Sequence, residues 1–214
     1  HTDFDGKEVI SAYWFDGVKS CLIYRSSPSQ SSEASVNTNS NRFLQSIGHY
    51  WRWASLYCCG STNGAGKVMG LAAYGDDIKS NETDLLTLSD SGKIKLDFNK
   101  LNQIYKKPNI FCLDLSNSKH HQNLAKKVQL ETENVILKLL SILQNKFPTD
   151  NLYLSGGVAL NVVANERIKK SNLFKKIILN GSVEDNGTAI GAGLAANFSM
   201  GYKRKFSIIN EYYG

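Results

Sequence analysis

Apolar positions along the chain switch between short strand-like runs and helical spacings. Residues 8–15, with Val9, Ile10, Ala12, Tyr13, Trp14 and Phe15, predict a strand that ends at Asp16-Gly17 and resumes over residues 20–25, a hairpin with Asp16 at its turn. Residues 26–41 are rich in serine and asparagine and almost free of apolar side chains, which predicts an exposed loop or a ragged hairpin tip. Over residues 43–57, Phe43, Ile47, Tyr50, Trp51, Ala54 and Tyr57 recur at helical intervals and predict a helix with a broad packing face. Strand-like pieces at 85–88 and 93–98 flank Ser89-Asp90-Ser91-Gly92, which suggests a second hairpin. Residues 119–145 form the clearest helix: Leu124, Val128, Val135, Leu139 and Ile142 share one face, and Pro148 follows the end of the run. That helix is expected to cover a sheet and to lead into the strand that follows.

The stretch 151–196 has the strongest organisation. Leu152, Tyr153 and Leu154 read as a buried strand that breaks at Gly156-Gly157 and restarts as an apolar helix. Such a break exposes backbone N–H groups at a helix N-terminus, where an anionic or polar ligand can approach closely. A second copy follows: a strand at 176–179, a loop with Glu184, Asp185 and Asn186, and an Ala/Gly-rich helix whose small residues permit close backbone packing. Two such turns can wall one pocket, although each alone is more often an ordinary strand-to-helix loop. Upstream, GAGKVMGLAAYG over residues 64–75 sets two glycines before Lys67 at a helix start, where an ammonium can meet a phosphate oxygen or simply face solvent. It is not a phosphate-binding GxxxxGK[ST] loop, because that pattern fails at Ser61 and Val68. His49 lies in the aromatic helix, within reach of a bound substrate in one reading and a packing residue in the other. His120 and His121 are adjacent, point about 100° apart on a helix and cannot easily share a metal, so a surface pair is favoured.

With 214 residues and 42% hydrophobic content, the chain can bury one substantial core or two small ones. The net charge of +6 is spread over residues 93–107, 119–146 and 167–176 without an Arg-rich block. It can help attract phosphorylated substrates, but the absence of stacking or basic-helix motifs argues against a nucleic-acid partner. The four cysteines, Cys21, Cys58, Cys59 and Cys112, lack CxxC spacing and suit reduced thiols in a cytoplasmic protein better than a zinc site or a disulfide framework. No apolar run approaches the ~20 residues needed to cross a bilayer, and no signal-peptide pattern opens the chain, so no membrane partner is expected. His1 stands first without an initiating methionine, which is read as the mark of a fragment.

SGGVALNVVAN followed by EDNGTAIGAG resembles the threonylcarbamoyl-transferase-like domain of the carbamoyltransferases of nodulation-factor and antibiotic biosynthesis, within the actin-like ATPase superfamily. GKVMGLAAYG closely matches the same family's GKVMGLAPYG signature. The resemblance implies an α/β actin-like ATPase (ribonuclease H-like) domain of the threonylcarbamoyl-transferase type, mostly its second lobe plus part of the first. Residues 1–75 would end the first lobe with the GKVMGLAAYG motif, 76–118 would be a variable insertion shaping the acceptor site, 119–201 the C-terminal lobe, and 202–214 the start of a linker to a missing YrdC-like domain. It puts Gly156, Gly157 and Asn161 at the adenosine and ribose of ATP, with Gly187 of the DNG turn beside them. Asp185 and, at the early hairpin, Asp16 would bind a divalent metal, usually iron. Lys67 would contact phosphate or carbamoyl oxygen.

The implied activity is O-carbamoyl transfer from carbamoyl phosphate, through a carbamoyl-adenylate made with ATP, to a hydroxyl of a small-molecule or sugar acceptor. Departures from the family pattern are specific. Ala65 stands where an acidic residue is usual near the Gly-Lys pair, Ala73 replaces the usual proline, and the HxxxH pair of the family's metal site is missing from this chain. The 214 residues alone are therefore expected to bind metal and nucleotide weakly and to turn over nothing. Two other readings stay open: a sugar-kinase-like phosphotransferase of the same superfamily, and a non-catalytic nucleotide-binding module.

Overall fold

A computed structural model of the chain describes residues 10–17, 19–26, 35–38, 41–76, 84–104, 118–179, 182–183 and 186–201. It is a mixed α/β structure whose core is helical. The strands β1 (Ile10–Phe15) and β2 (Ser20–Ser26) form the first predicted hairpin, with Phe15 opposite Ser20 and a register shift between Ala12 and Tyr13. A second hairpin, β3 (Ser35–Thr38) with β4 (Asn41–Leu44), begins within the serine-rich segment expected to be a loop or hairpin tip and runs past its end; residues 27–34 and 39–40 of that segment lie outside the described residues.

The aromatic helix α1 runs Ile47–Cys59, four residues later than the sequence pattern suggests at its start, and Phe43 belongs to β4. The cap explains the difference. Ser46 adopts an extended backbone and its hydroxyl accepts the His49 N–H at 3.1 Å, satisfying one of the otherwise unpaired donors of the first turn. Gly60, left-handed at φ 67°, closes the helix by donating to the Leu56 carbonyl. Trp53, outside the predicted face, is fully buried together with Tyr50 and Ala54, so α1 is enclosed on more sides than its apolar spacing indicates. His49 is also buried in α1.

Helix α2 (Ala65–Ala72) carries the GKVMGLAAYG motif and turns Val68 and Ala72 into the core. The motif ends pressed against the long helix α4 (Ser118–Lys146): a β-carbon at Gly75 would lie 2.5 Å from Lys126 Cβ and 2.6 Å from the Gln122 carbonyl oxygen. The Asp76 N–H donates to Asn123 Oδ1 at 2.8 Å, and Lys119 pairs with the Asp76 carboxylate, fastening the same junction. Between α2 and α4 come β5 (Leu86–Leu88) and β6 (Ile94–Leu96), joined through the predicted Ser89–Gly92 turn with Gly92 at φ 84°, and then α3 (Phe98–Ile104).

Helix α4 packs against α1, α2 and β5 on one side and against a later helix, α5 (Val162–Lys170), on the other. Among the described residues its main partners are thus helices and a short hairpin, rather than the sheet it was expected to cover. Leu124, Val128, Val135 and Leu139 are buried as the spacing predicts. Full burial of a side chain such as Val68 or Leu101 is worth roughly 1.5–3 kcal/mol. An exposed i,i+4 pair such as Glu166–Lys170 contributes only about 0.5 kcal/mol, so the core outweighs the surface pairs.

α4 also buries polar groups. The Glu131 carboxylate accepts the Leu85 N–H at 3.0 Å, the Leu86 N–H at 2.9 Å and the Tyr50 hydroxyl at 2.8 Å, with Lys127 Nζ at 3.4 Å. One residue on, Thr132 Oγ1 accepts the Trp51 indole N–H at 2.9 Å. Burial pushes the Glu131 carboxyl above its ordinary value of 4.5, against the pull of these donors. The Tyr50 hydroxyl is driven well up by the same burial and by Glu131, so it stays a donor.

After α4 come β7 (Asn151–Leu154) and β8 (Lys176–Leu179), which pair in parallel, Leu152 opposite Ile177, with α5 as their crossover. Tyr153 is 56% exposed and Leu152 and Leu154 are half-buried, so β7 is not the buried strand its composition suggests: among the described residues only β8 pairs with it. The last helix, α6 (Asn186–Ser199), is largely exposed. A β-carbon at Gly191 or Gly193 would meet nothing within 4 Å, so the described residues do not make the close packing its small side chains would permit. Among the described residues no helix is long and apolar enough to cross a membrane.

Glu131→Gln replaces one carboxylate oxygen by an amide N–H₂, which then faces the Leu85 N–H or the Leu86 N–H and Tyr50 hydroxyl, and is expected to lower the unfolding free energy by about 3 kcal/mol, read from urea denaturation. The pH dependence has a definite sign. A carboxyl whose folded value is raised contributes stability that is complete below its unfolded value and is lost as pH rises through the folded one. The gap between wild type and Glu131→Gln should therefore narrow as pH rises upward from 4.5; a widening gap would contradict this account of Glu131.

Candidate functional site

The parallel pair β7–β8 brings its two outgoing loops to the same end of the strands. After β7, Gly156 takes φ 97°, ψ 160°, a conformation open in practice to glycine alone. A 3-10 turn, Gly157–Leu160, leads to Asn161, the N-cap of α5. After β8, Ser182 and Val183 lead towards α6. The two loops touch: the Gly156 N–H donates to the Val183 carbonyl at 2.8 Å. The second loop is folded tightly on itself, because a β-carbon at Gly187 would overlap the Ser182 carbonyl oxygen. The glycine turns singled out in the sequence are thus neighbours, and Gly156, Gly157 and Gly187 belong to one loop cluster at the C-terminal ends of parallel strands.

Gly157 differs from its neighbours. Its φ is not positive, and a β-carbon there would meet nothing within 4 Å, so the turn presents open space on that side. Within the turn, Ala159 N–H donates to Gly156 and Asn161 N–H to Val158, while Gly157 and Val158 supply no donor to those bonds. Asn161 is buried, with its Oδ1 accepting from Ala164 N at 3.0 Å and from Gln129 Nε2 at 3.1 Å, and its Nδ2 donating to Gln129 Oε1 at 3.0 Å.

Asp16 sits at the exposed tip of the β1–β2 hairpin, where its N–H donates to the Lys19 carbonyl and its Oδ1 accepts the Lys19 N–H at 2.7 Å. The connection has four residues, with Gly17 at φ 95°, rather than the two of the tightest hairpins. Tyr24 of β2 donates to the Gly92 carbonyl at 2.7 Å and so sets this hairpin beside the β5–β6 turn. Asp185 and Glu184 lie outside the described residues. Among the described residues, no three His, Cys, Asp or Glu side chains group as a metal cage would require. Asp16 alone offers one exposed carboxylate, which does not make a complete cation site.

Lys67 is exposed in the first turn of α2, close enough to Cys59 to draw its thiol pKa down, though burial wins and the thiol is raised overall. Cys58, more deeply buried, is pushed up to about 12. Both thiols are protonated at neutral pH and are poor nucleophiles there. His120 and His121 both lie against Tyr57, His120 Nε2 at 3.0 Å from its hydroxyl, and act as aromatic partners of α1.

Residues 3–194 match the family described as Carbamoyltransferase N-terminus. The chain belongs to this carbamoyltransferase family. Over 174 residues it is 31% identical to an uncharacterised protein of Synechocystis sp., a match covering 72% of this chain and 27% of that protein. Nodulation protein NolO of Bradyrhizobium diazoefficiens is 27% identical over 138 residues, covering 63% of this chain and 25% of NolO. Nodulation protein NolNO of Sinorhizobium fredii is 25% identical over 150 residues, covering 69% of this chain and 22% of NolNO. The chain spans about a quarter of the length of these relatives.

The sequence pattern did not single out Gln129, Glu133 or Arg167, which brace the glycine turn from α4 and α5. The available signal was the i,i+4 pair Gln129/Glu133 within an otherwise apolar-patterned helix. The glycines themselves make a graded prediction. Gly156→Ala and Gly187→Ala should each cost about 1–3 kcal/mol of stability, from backbone strain and overlap respectively. Gly157→Ala should stay within about 0.5 kcal/mol of wild type in the same thermal or urea unfolding experiment. Equal losses at all three positions would contradict this geometry.

Proposed function

We propose that the protein containing this chain is an O-carbamoyltransferase that binds ATP against the paired glycine turns. The observation that carries this reading is the coincidence of the family match over residues 3–194 with the Gly156 N–H to Val183 bond, which joins two separate motifs into one loop cluster. Glycine at 156 and 187 permits the tight backbone path, and glycine at 157 leaves room for a ligand to approach the main chain. The fold implied by this reading is the actin-like ATPase domain of the threonylcarbamoyl-transferase type.

The chemistry follows from the weakness of carbamate as an electrophile. Water releases carbamate and inorganic phosphate from carbamoyl phosphate; a carbamate oxygen then bonds to the α-phosphorus of ATP as the α–β phosphoanhydride bond breaks, giving carbamoyl-adenylate and pyrophosphate, with the YrdC-like domain as the source of the adenylate in the family's arrangement. The acceptor hydroxyl oxygen then bonds to the carbamoyl carbon while the bond from that carbon to the AMP phosphate oxygen breaks. AMP departs with the electron pair, and the hydroxyl proton passes to solvent or a nearby base. Lys67, exposed at the start of α2, is suited to meet phosphate or carbamoyl oxygen. Asp16 and Asp185 would be the hard oxygen ligands of a divalent metal, iron in the usual family assignment, which would stabilise negative charge on oxygen when bound. The acceptor is a small molecule or sugar with a free hydroxyl.

The test uses the protein encoded by the complete open reading frame, with carbamoyl phosphate, ATP and a panel of hydroxylated acceptors, following AMP release and carbamoylated product. Product that depends on both ATP and carbamoyl phosphate is expected; phosphorylated acceptor, or turnover without carbamoyl phosphate, would replace this reading with a kinase. Gly157→Ala should raise the KM for ATP about tenfold, ~1.4 kcal/mol, without loss of stability.

A further inference from the structure

Four buried or half-buried side chains, Gln129 and Glu133 of α4 with Asn161 and Arg167 of the α5 region, link α4 to both the start and the middle of α5. Gln129, 4% exposed, donates from Nε2 to Glu133 Oε1 at 2.6 Å and to Asn161 Oδ1 at 3.1 Å, and its Oε1 accepts from Asn161 Nδ2 at 3.0 Å. Both of its N–H donors are used, and the Glu133 carboxylate fixes which end of the amide carries them, since only donors can face it. Glu133 is itself held by Arg167, whose Nη1 donates to Glu133 Oε2 at 2.8 Å and whose Nη2 donates to Asn134 Oδ1 at 2.8 Å. The bonds form a closed circuit from Arg167 in α5, through Glu133 and Gln129 in α4, to Asn161 and back into α5 at Ala164 N.

We infer that Gln129 is a positioning residue for nucleotide binding: through the paired amides it holds Asn161 as the cap of α5 and so fixes the Gly156–Leu160 backbone that faces the ligand. This inference rests on the proposed ATP site. It assigns Asn161 a role exerted through the turn it terminates, because its Oδ1 already accepts two hydrogen bonds and its Nδ2 is turned to Gln129. A purely packing role for Gln129 would be served equally by an apolar side chain of the same length, whereas the amide circuit would not.

The experiment compares wild type, Gln129→Met, Gln129→Glu, Asn161→Ala and the Gln129→Met/Asn161→Ala double variant in the complete protein. Backbone hydrogen exchange of residues 156–164 is measured without nucleotide, and KM for ATP and kcat are measured in the carbamoylation assay. Gln129→Met should accelerate exchange in that segment at least tenfold and raise KM for ATP about tenfold, with kcat within twofold. Gln129→Glu, which sets a second carboxylate against Glu133, should be worse on both counts. The double variant should be no worse than the more affected single one, since both act through the same bonds. Should wild type bind no ATP, the proposed site fails at the outset, whatever the variants do. If wild type binds ATP and Gln129→Met leaves either the exchange rate or the KM unchanged, or lowers kcat and ATP affinity together in step with global stability, the inference is overturned.

Discussion

A single buried carboxylate ties together the parts of this chain that hydrophobic patterning leaves separate. Glu131 lies on the apolar-patterned helix α4, yet it accepts two backbone N–H groups from the start of the β5–β6 hairpin and the hydroxyl of Tyr50 from α1. Those two N–H groups open a hairpin only three residues per strand long, too short to be stable alone. Burial makes the charge expensive, and three donors with Lys127 nearby offset that cost. With Thr132 receiving the Trp51 indole, the aromatic face of α1 is held in one register against α4 by direction as well as by area.

The family relationship gains meaning from what α4 does on its other side. Its Gln129 and Glu133 reach α5, and α5 is the crossover of the parallel pair whose loops meet at Gly156 and Val183. The GKVMGLAAYG motif is pressed on the same helix at Gly75. Two of the three sequence signatures that carry the resemblance are therefore mounted on one element. The third signature, around Asp185, begins outside the described residues and re-enters them at Asn186.

Much of the architecture was legible in the sequence because it is local. The first hairpin, the Ser89–Gly92 turn, the long helix and both glycine-ended strands follow from periodicity, turn residues and breakers. The start of α1 was misjudged because Phe43 fits the helical spacing equally well, and the Ser46 cap decides the matter through one hydrogen bond that spacing does not register. The exposure of β7 was misread because an apolar run reports the tendency to be covered and says nothing of what covers it. Within the candidate site, the glycines announced themselves through their chemistry. Gln129 and Glu133 did not, since a polar residue on a helix reads as solvent-facing until a partner 32 to 34 residues away in sequence is brought against it.

Glu131 and Glu133 are two residues apart, so on α4 they leave the axis in nearly opposite directions, about 200° from one to the other. One anchors α1 and the β5 entry, the other anchors α5 through Arg167. A helix bolted on both flanks cannot roll about its long axis without stretching charge-assisted bonds on one flank or the other. The GKVMGLAAYG motif, seated on this helix at Gly75, and the glycine turn, reached through α5, therefore share one support whose rotation is fixed from two flanks.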